Sequence, residues 1–258
     1  MPLTYPSYAA GNERPRLIYL PGLDGTGDLF YRQQAGLDRL FDVRAFRFNH
    51  LIAPSWPELV STVIDNYMHE RPVVLCGESF GACLALAVAD RLPEAVAGLI
   101  LVNPASSFRR ASVLNSLSAL LMAIPEVVVR ASSGLSLNWL CIPSRLASTD
   151  LERFQQAIKS VRKVDTLHRL ELLKQFDVSA RPLEQFTCPV LVLAGQRDRL
   201  LPSESEARRL VTRLSAAELK LLPNSGHACL LERDMDLAHM LQSSSVFEPL
   251  LASPANLG

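Results

Sequence analysis

The sequence predicts an α/β fold: a mostly parallel sheet, doubly wound by helices on its two faces and interrupted by a helical insertion. Short runs such as Leu17–Leu20, Val73–Cys76, Leu99–Val102 and Val190–Ala194 are apolar at consecutive positions, as strands buried on both faces must be. Helical patterns separate most of them, which is the rhythm of parallel strands joined by crossovers. From about Ala105 to Gln185 helical periodicity continues without strands. This divides the chain into a core, residues 1–104 and 186–258, and an inserted cap or lid, residues 105–185.

A chain of 258 residues with 48% hydrophobic and 20% charged positions can bury one large core as a single domain. A formal net charge of zero excludes the basic stripe that a nucleic-acid binder needs. The five cysteines, Cys76, Cys83, Cys141, Cys188 and Cys229, form no Cys-x-x-Cys pair. They read as buried small hydrophobes in a reducing compartment, so neither a disulfide framework nor a metal site is expected. The N-terminal stretch lacks the pattern of a secretory signal and no apolar run reaches 18 residues, so the expectation is a cytoplasmic chain.

The first strand, Leu17–Leu20, ends at Pro21-Gly22 and opens into Gly22-Leu23-Asp24-Gly25-Thr26-Gly27, three glycines in six residues. The spacing fits neither the P-loop nor the dinucleotide fingerprint, and no cofactor is expected from it. A helical pattern follows over about Asp28–Leu40, then a strand at Val43–Phe46. Ser55-Trp56-Pro57-Glu58 is a capping box with proline in the first turn, opening a helix to about His69.

Val73-Val74-Leu75-Cys76 leads into Gly77-Glu78-Ser79-Phe80-Gly81 and then the helix-favouring Ala82-Cys83-Leu84-Ala85-Leu86-Ala87. A strand turning this sharply into a helix strains the central residue and leaves no room for side chains at the glycines. Ser79 is thereby presented at a helix N-terminus, where backbone N–H groups face developing negative charge. The helix ends near Pro93, and the strand Leu99–Val102 is stopped by Asn103-Pro104.

Inside the insertion, Leu114–Ile124 and Leu151–Phe176 have helical periodicity. The first is too short to span a bilayer, yet apolar enough to line a greasy pocket or touch a membrane surface, with Leu117 and Leu121 as pocket candidates. Arg109, Arg110, Arg162 and Lys163 read as a solvated face, or as one that docks on anionic lipid. Alternation resumes with Pro189–Ala194, a helix read as capped by Ser203 with Glu206 three residues on, the strand Glu218–Leu222 and a last helix near Asp234–Gln242.

A serine hydroxyl needs an adjacent base, and the base needs an acid to hold its tautomer. Of five histidines only His227 lies in a loop directly after a late core strand. Asp198 occupies the loop after the preceding strand, and with Ser203 read as the helix cap it is free to serve as the acid. Glu78 points elsewhere from the turn. The N–H groups of Leu23 and Phe80 are the oxyanion-hole candidates. Asp24 lies beside that hole and the substrate pocket; a carboxylate facing an oxyanion would oppose it, so Asp24 should turn away and bond loop amides.

Serine, aspartate, histidine in that order, each beyond a strand's C-terminal end, is the α/β-hydrolase order. The segments Tyr19–Gly27, Gly77–Ala87 and Val102–Phe108 resemble the hydrolase part of the esterase/lipase/thioesterase family that includes plant phytyl ester synthases. The resemblance implies the α/β-hydrolase fold across nearly the whole chain, and maps nucleophile, acid and base onto Ser79, Asp198 and His227. It implies an apolar acyl ester or thioester as substrate. The plant proteins carry a further acyltransferase domain after this part, so hydrolysis is expected ahead of ester synthesis. Two other readings of the residues stay open: a binding protein that keeps the fold without turnover, and the same fold put to cofactor-free C–C cleavage or haloperoxidase chemistry.

Overall fold

The computed structural model describes residues 14–69, 71–110 and 133–252. Six strands form one sheet: β1 (Arg16–Leu20), β2 (Asp42–Ala45), β3 (Val73–Glu78), β4 (Val96–Val102), β5 (Val190–Gly195) and β6 (Ala217–Leu222). Their order across the sheet is β2-β1-β3-β4-β5-β6, and every pairing is parallel. The sheet is thus parallel throughout the described residues.

Strand periodicity builds two cores from the same apolar runs. Ile18, Leu20, Leu75, Leu99, Leu101, Val190 and Val192 face one side, packed with Leu59 and Val63 of α2 (Trp56–Tyr67), α3 (Phe80–Arg91), and Ala207 and Leu210 of α7 (Ser203–Val211). Their neighbours Leu17, Tyr19, Val74, Cys76, Ile100, Leu191 and Leu193 face the other. There they meet Leu37 of α1 (Tyr31–Leu37), Leu237 and Leu241 of α8 (Leu237–Gln242), and Leu250 of α9 (Glu248–Leu251). Both faces being covered, β3, β4 and β5 carry no charged side chain until Glu78 at the end of β3. The edge strands β2 and β6 are half-exposed and correspondingly mixed in sequence.

The segment between β4 and β5 holds α4 (Ser133–Leu140), α5 (Ser148–Ser160) and α6 (Lys163–Gln175). The periodic stretch Leu151–Phe176 is therefore two helices, broken at Val161-Arg162. The expected helix at Leu114–Ile124, with the pocket candidates Leu117 and Leu121, lies outside the described residues. A smaller apolar cluster of Leu137, Cys141, Leu146 and Phe154 packs the insertion against Ala228 and Leu231. No helix among the described residues is long and apolar enough to cross a membrane.

The predicted capping box is present: the Ser55 side chain accepts from the Glu58 backbone N–H while Glu58 takes the Ser55 N–H at 2.7 Å. The predicted Ser203 cap is not. Helix α7 begins at Ser203 itself, and that hydroxyl is committed to Asp198 at 2.5 Å. Glu206 instead bonds Ser106, Arg110 and Arg209. The local Ser-x-x-Glu pattern loses to buried partners that a sequence window does not contain. Arg109, Arg110 and Arg162, read as a solvated face, pair with Asp177, Glu206 and Asp165.

Candidate active site

The C-terminal ends of β1, β3, β4, β5 and β6 lie along one edge of the sheet, and each releases a loop that supplies part of the site. After β3 the chain turns through Ser79 at φ 55° and ψ −109°, a conformation that costs an L-residue of order 1–3 kcal/mol. The turn is closed by Ser79 N–H to the Val102 carbonyl at 2.9 Å. Two glycines make it sterically feasible. A Cβ at Gly81 would sit 1.9 Å from the Leu20 carbonyl oxygen, and one at Gly77 would sit 2.3 Å from the Gly81 oxygen.

Ser79 Oγ donates to His227 Nε2 at 3.0 Å, and His227 Nδ1 donates to Asp198 Oδ2 at 2.7 Å. Ser79 and His227 are 6% and 7% exposed, so the chain of bonds is shielded from competing water yet reachable. Asp198 Oδ1 accepts the N–H groups of Leu200 and Leu201 at 2.8 and 3.0 Å, and Oδ2 also accepts the Ser203 hydroxyl. Burial presses Asp198 upward, but the His227 charge and these bonds outweigh it, and the carboxyl ends below its usual range. For His227 burial favours the neutral ring; the Asp198 charge and hydrogen bond, then the Glu78 charge, overcome it and leave the imidazole above 6.5.

The glycine-rich loop after β1 lies against this serine, since a Cβ built on Gly22 would be 3.8 Å from Ser79 Cβ. Gly25 and Gly27 both take positive φ, 68° and 73°, which is what two of the loop's three glycines serve. Asp24 turns into the loop as expected: its Oδ2 accepts Thr26 N–H at 2.9 Å and the Thr26 hydroxyl at 2.5 Å. Burial nonetheless raises its pKa. Phe80 is the first residue of α3, so its N–H has no intrahelical acceptor. Its ring stacks on Trp56, centroids 4.9 Å apart.

Comparison with known proteins now adds the family. The profile of Hydrolase_4, described as serine aminopeptidase, S33, matches residues 57–234. The chain belongs to that family. It is thereby a member of the α/β-hydrolase superfamily. Phytyl ester synthase 1, chloroplastic, of Arabidopsis thaliana is 30% identical over 91% of this chain and 37% of its own length. The chain therefore spans well under half of that relative. A putative carbamate hydrolase RutD of Klebsiella pneumoniae subsp. pneumoniae is 26% identical over 83% of this chain and 85% of its own. By structure, a thermophilic esterase from Thermogutta terrifontis superposes with TM-score 0.70 at 18% identity, covering 90% of this chain and 89% of that one. At that identity the likeness is one of fold.

Several residues that organise this candidate site escape sequence reasoning. Asn103, fully buried at φ 42°, had read only as a strand stop. Its Nδ2 donates to the carbonyls of Gly226 and His227 at 3.1 and 2.6 Å, and its Oδ1 accepts Gly195 N–H at 2.8 Å. One amide thus ties the ends of β4 and β5 to the histidine loop. Glu232 holds the same loop from the other side, accepting Ser225 Oγ at 2.7 Å, Gly226 N–H at 2.9 Å and Arg145 Nε at 2.7 Å. Glu78 turns away from Ser79 and His227 into a 2.6 Å hydrogen bond from the Tyr19 hydroxyl, and burial drives its carboxyl up to about 7. The one legible signal was a lone polar residue, Asn103, closing the seven-residue apolar strand Val96–Val102.

The five cysteines are free thiols, four of them buried, and burial pushes Cys76, Cys83 and Cys229 well up, which keeps them protonated. Among the described residues no cluster of three or more His, Cys, Asp or Glu could hold a metal ion.

Proposed function

We propose that this chain is a serine hydrolase that removes a fatty acyl group from an apolar ester or thioester through Ser79, His227 and Asp198 and a covalent acyl-enzyme. The observation that carries the reading is the unbroken hydrogen-bond path from Ser79 Oγ through the imidazole to Asp198. Ser79 Oγ attacks the acyl carbonyl while His227 Nε2 takes its proton. The carbonyl oxygen becomes an oxyanion facing the N–H groups of Phe80 and Leu23. Collapse expels the alcohol or thiol, which receives the proton from the imidazolium. Water then repeats the sequence with His227 as base, releasing the fatty acid and restoring Ser79.

Residues 105–185 act as the cap in this reading. The support is contact on two sides of the site: Ala228 N–H donates to the Leu140 carbonyl at 2.9 Å, and Arg169 bonds the carbonyls of Leu23 and Asp24. An apolar substrate suits the partly buried side chains of Leu23, Trp56 and Leu200. Transfer of the acyl group to a lipid alcohol is the second reading, favoured by the similarity to a protein named phytyl ester synthase.

An active-site-directed fluorophosphonate should label Ser79, and Ser79→Ala should lower kcat by about 10⁶-fold, as for triad serines elsewhere. Near-normal turnover by the alanine variant refutes the assignment. Esters and thioesters of graded chain length, assayed with and without phytol or diacylglycerol and with products resolved by mass, separate hydrolysis from transfer.

A further inference from the structure

The helix α6 of the insertion reaches both proposed oxyanion donors. Arg169, only 3% exposed, extends from α6 to the glycine-rich loop, where one guanidinium nitrogen donates to the carbonyls of both Leu23 and Asp24. Its guanidinium also lies over the Phe48 ring, 4.8 Å from the centroid, and Phe48 packs on Phe80 at 5.5 Å. From the same helix the Leu172 carbonyl accepts Trp56 Nε1–H at 2.9 Å, and Trp56 stacks on the other side of the aromatic cluster against Phe80. Leu23 and Phe80 are the two residues whose N–H groups would face the oxyanion.

We propose that Arg169 is a positioning residue, through which the inserted helix holds the two oxyanion donors at the spacing the tetrahedral intermediate requires. The inference rests on the serine-hydrolase reading above. Its physical basis is that a peptide group is planar, so fixing the carbonyl oxygens of Leu23 and Asp24 orients the N–H groups attached to the same peptide planes. Those are the Asp24 and Gly25 N–H groups; Gly25 N–H in turn donates to the Gly22 carbonyl at 3.1 Å, and that carbonyl shares its peptide plane with the Leu23 N–H, so the clamp reaches the donor through this turn. Gly25 leaves space for this clamp: a Cβ there would come within 3.3 Å of the Arg169 guanidinium carbon and 2.9 Å of the Phe48 ring. A planar guanidinium suits the task better than an ammonium, because it bonds in its plane and stacks on an aromatic face at once. No proton is exchanged, so Arg169 acts on the reaction only by placing other groups.

The test compares the wild-type chain with Arg169→Lys and Arg169→Met, each checked for folding by circular dichroism. The readouts are kcat and KM on an aryl ester, and the inhibition constant of an aryl trifluoromethyl ketone, which forms an oxyanion adduct with the serine. Displacing rather than deleting donors should cost about 30-fold in kcat for the Met variant, below the 10²–10³-fold cost of losing one donor outright. KM should stay within about two-fold and the ketone should weaken by the same factor as kcat, with the Lys variant intermediate. A merely structural arginine would not move kcat and the ketone together at constant KM. Folded variants with wild-type kcat, or with kcat lowered but ketone affinity unchanged, overturn the inference. If the Met variant does not fold, the Lys variant decides alone: wild-type values in both readouts overturn the proposal, and a joint several-fold loss supports it. Failure of the wild-type chain itself to turn over ester or label with fluorophosphonate refutes the hydrolase reading and this inference with it; an active wild type with unmoved variants refutes the inference alone.

Discussion

Gly195→Ala would test the geometry of the histidine loop without touching any group that reacts. Gly195 ends β5, and its backbone lies outside the left-handed region, so alanine brings no conformational strain of its own. What it brings is a methyl group facing two backbone oxygens: a Cβ there would lie 2.6 Å from the carbonyl oxygens of both Gly226 and Ser225. Ordinary carbon–oxygen contacts begin at about 3.3 Å, so the loop must retreat by about 0.7 Å. No rotamer can relieve the overlap, because both obstacles are main chain. The loop is also held in place by Asn103, which bonds Gly195 N–H on one side and the Gly226 and His227 carbonyls on the other.

Added to the 3.0 Å between Ser79 Oγ and His227 Nε2, a shift of this size carries the pair beyond the ~3.2 Å reach of an effective nucleophile and base. A misplacement of 1 Å costs about 10²-fold, so kcat should fall by about 30-fold, with fluorophosphonate labelling of Ser79 slowed in parallel. Overpacking should cost about 1–3 kcal/mol of stability, read from the denaturant midpoint. A folded Gly195→Ala protein with wild-type kcat and labelling rate would refute the reasoning, since the loop would then have slack that the contacts deny.

Gly81→Ala should go further: its Cβ would lie 1.9 Å from the Leu20 oxygen and 2.5 Å from the Leu20 carbon, so helix α3 and strand β1 would have to separate. We expect a loss of more than about 4 kcal/mol in chemical denaturation, and a midpoint near wild type would contradict the close approach. Ser203→Ala removes a hydroxyl that donates to the same Asp198 oxygen as His227 does, and should destabilise the fold by about 1.5–3 kcal/mol as a lost bond to a charged group. A helix-capping role would predict no change in kcat for that variant, whereas support of Asp198 predicts a measurable fall. Glu78→Gln tests the pH profile. With His227 as the proposed base, kcat/KM rises as pH climbs through its raised pKa; Glu78, whose own carboxyl sits at about 7, adds to that elevation where it is ionised, and the glutamine should move the upper part of the acidic limb to lower pH. A limb that stays in place would show that the Glu78 charge does not reach the imidazole.

What the sequence made legible, and what it hid, divides along a physical line. Runs such as Val190–Ala194 announce themselves because burial on two faces forbids polar residues, and that constraint is written locally. The turn at Ser79 is legible because its Gly-x-Ser-x-Gly pattern is local, although the Leu20 oxygen that demands Gly81 belongs to β1, far away in sequence. The strand-end order of Ser79, Asp198 and His227 could be read for the same reason: each sits a fixed short distance past a recognisable strand. Ser203 was misread because the same four residues that make a plausible cap also place a hydroxyl beside a carboxylate, and only the fold decides between them.

Asn103, Glu232 and Arg169 belong to a different class, in which a single polar residue earns its place through partners distant in sequence. Asn103 reaches loops 92 and 123 positions away, and Arg169 reaches carbonyls 146 and 145 positions away. No window of the sequence contains both ends of such a bond, and carbonyl acceptors carry no residue identity for a pattern to find. These long-range bonds converge on two loops, the one after β1 and the one after β6, which are where a proposed oxyanion donor and the proposed base must be held. The residues proposed to react are therefore the readable part of this arrangement and their supports the unreadable part. It follows that variants of the supports, rather than of Ser79 or His227, carry the information about catalysis that the sequence does not.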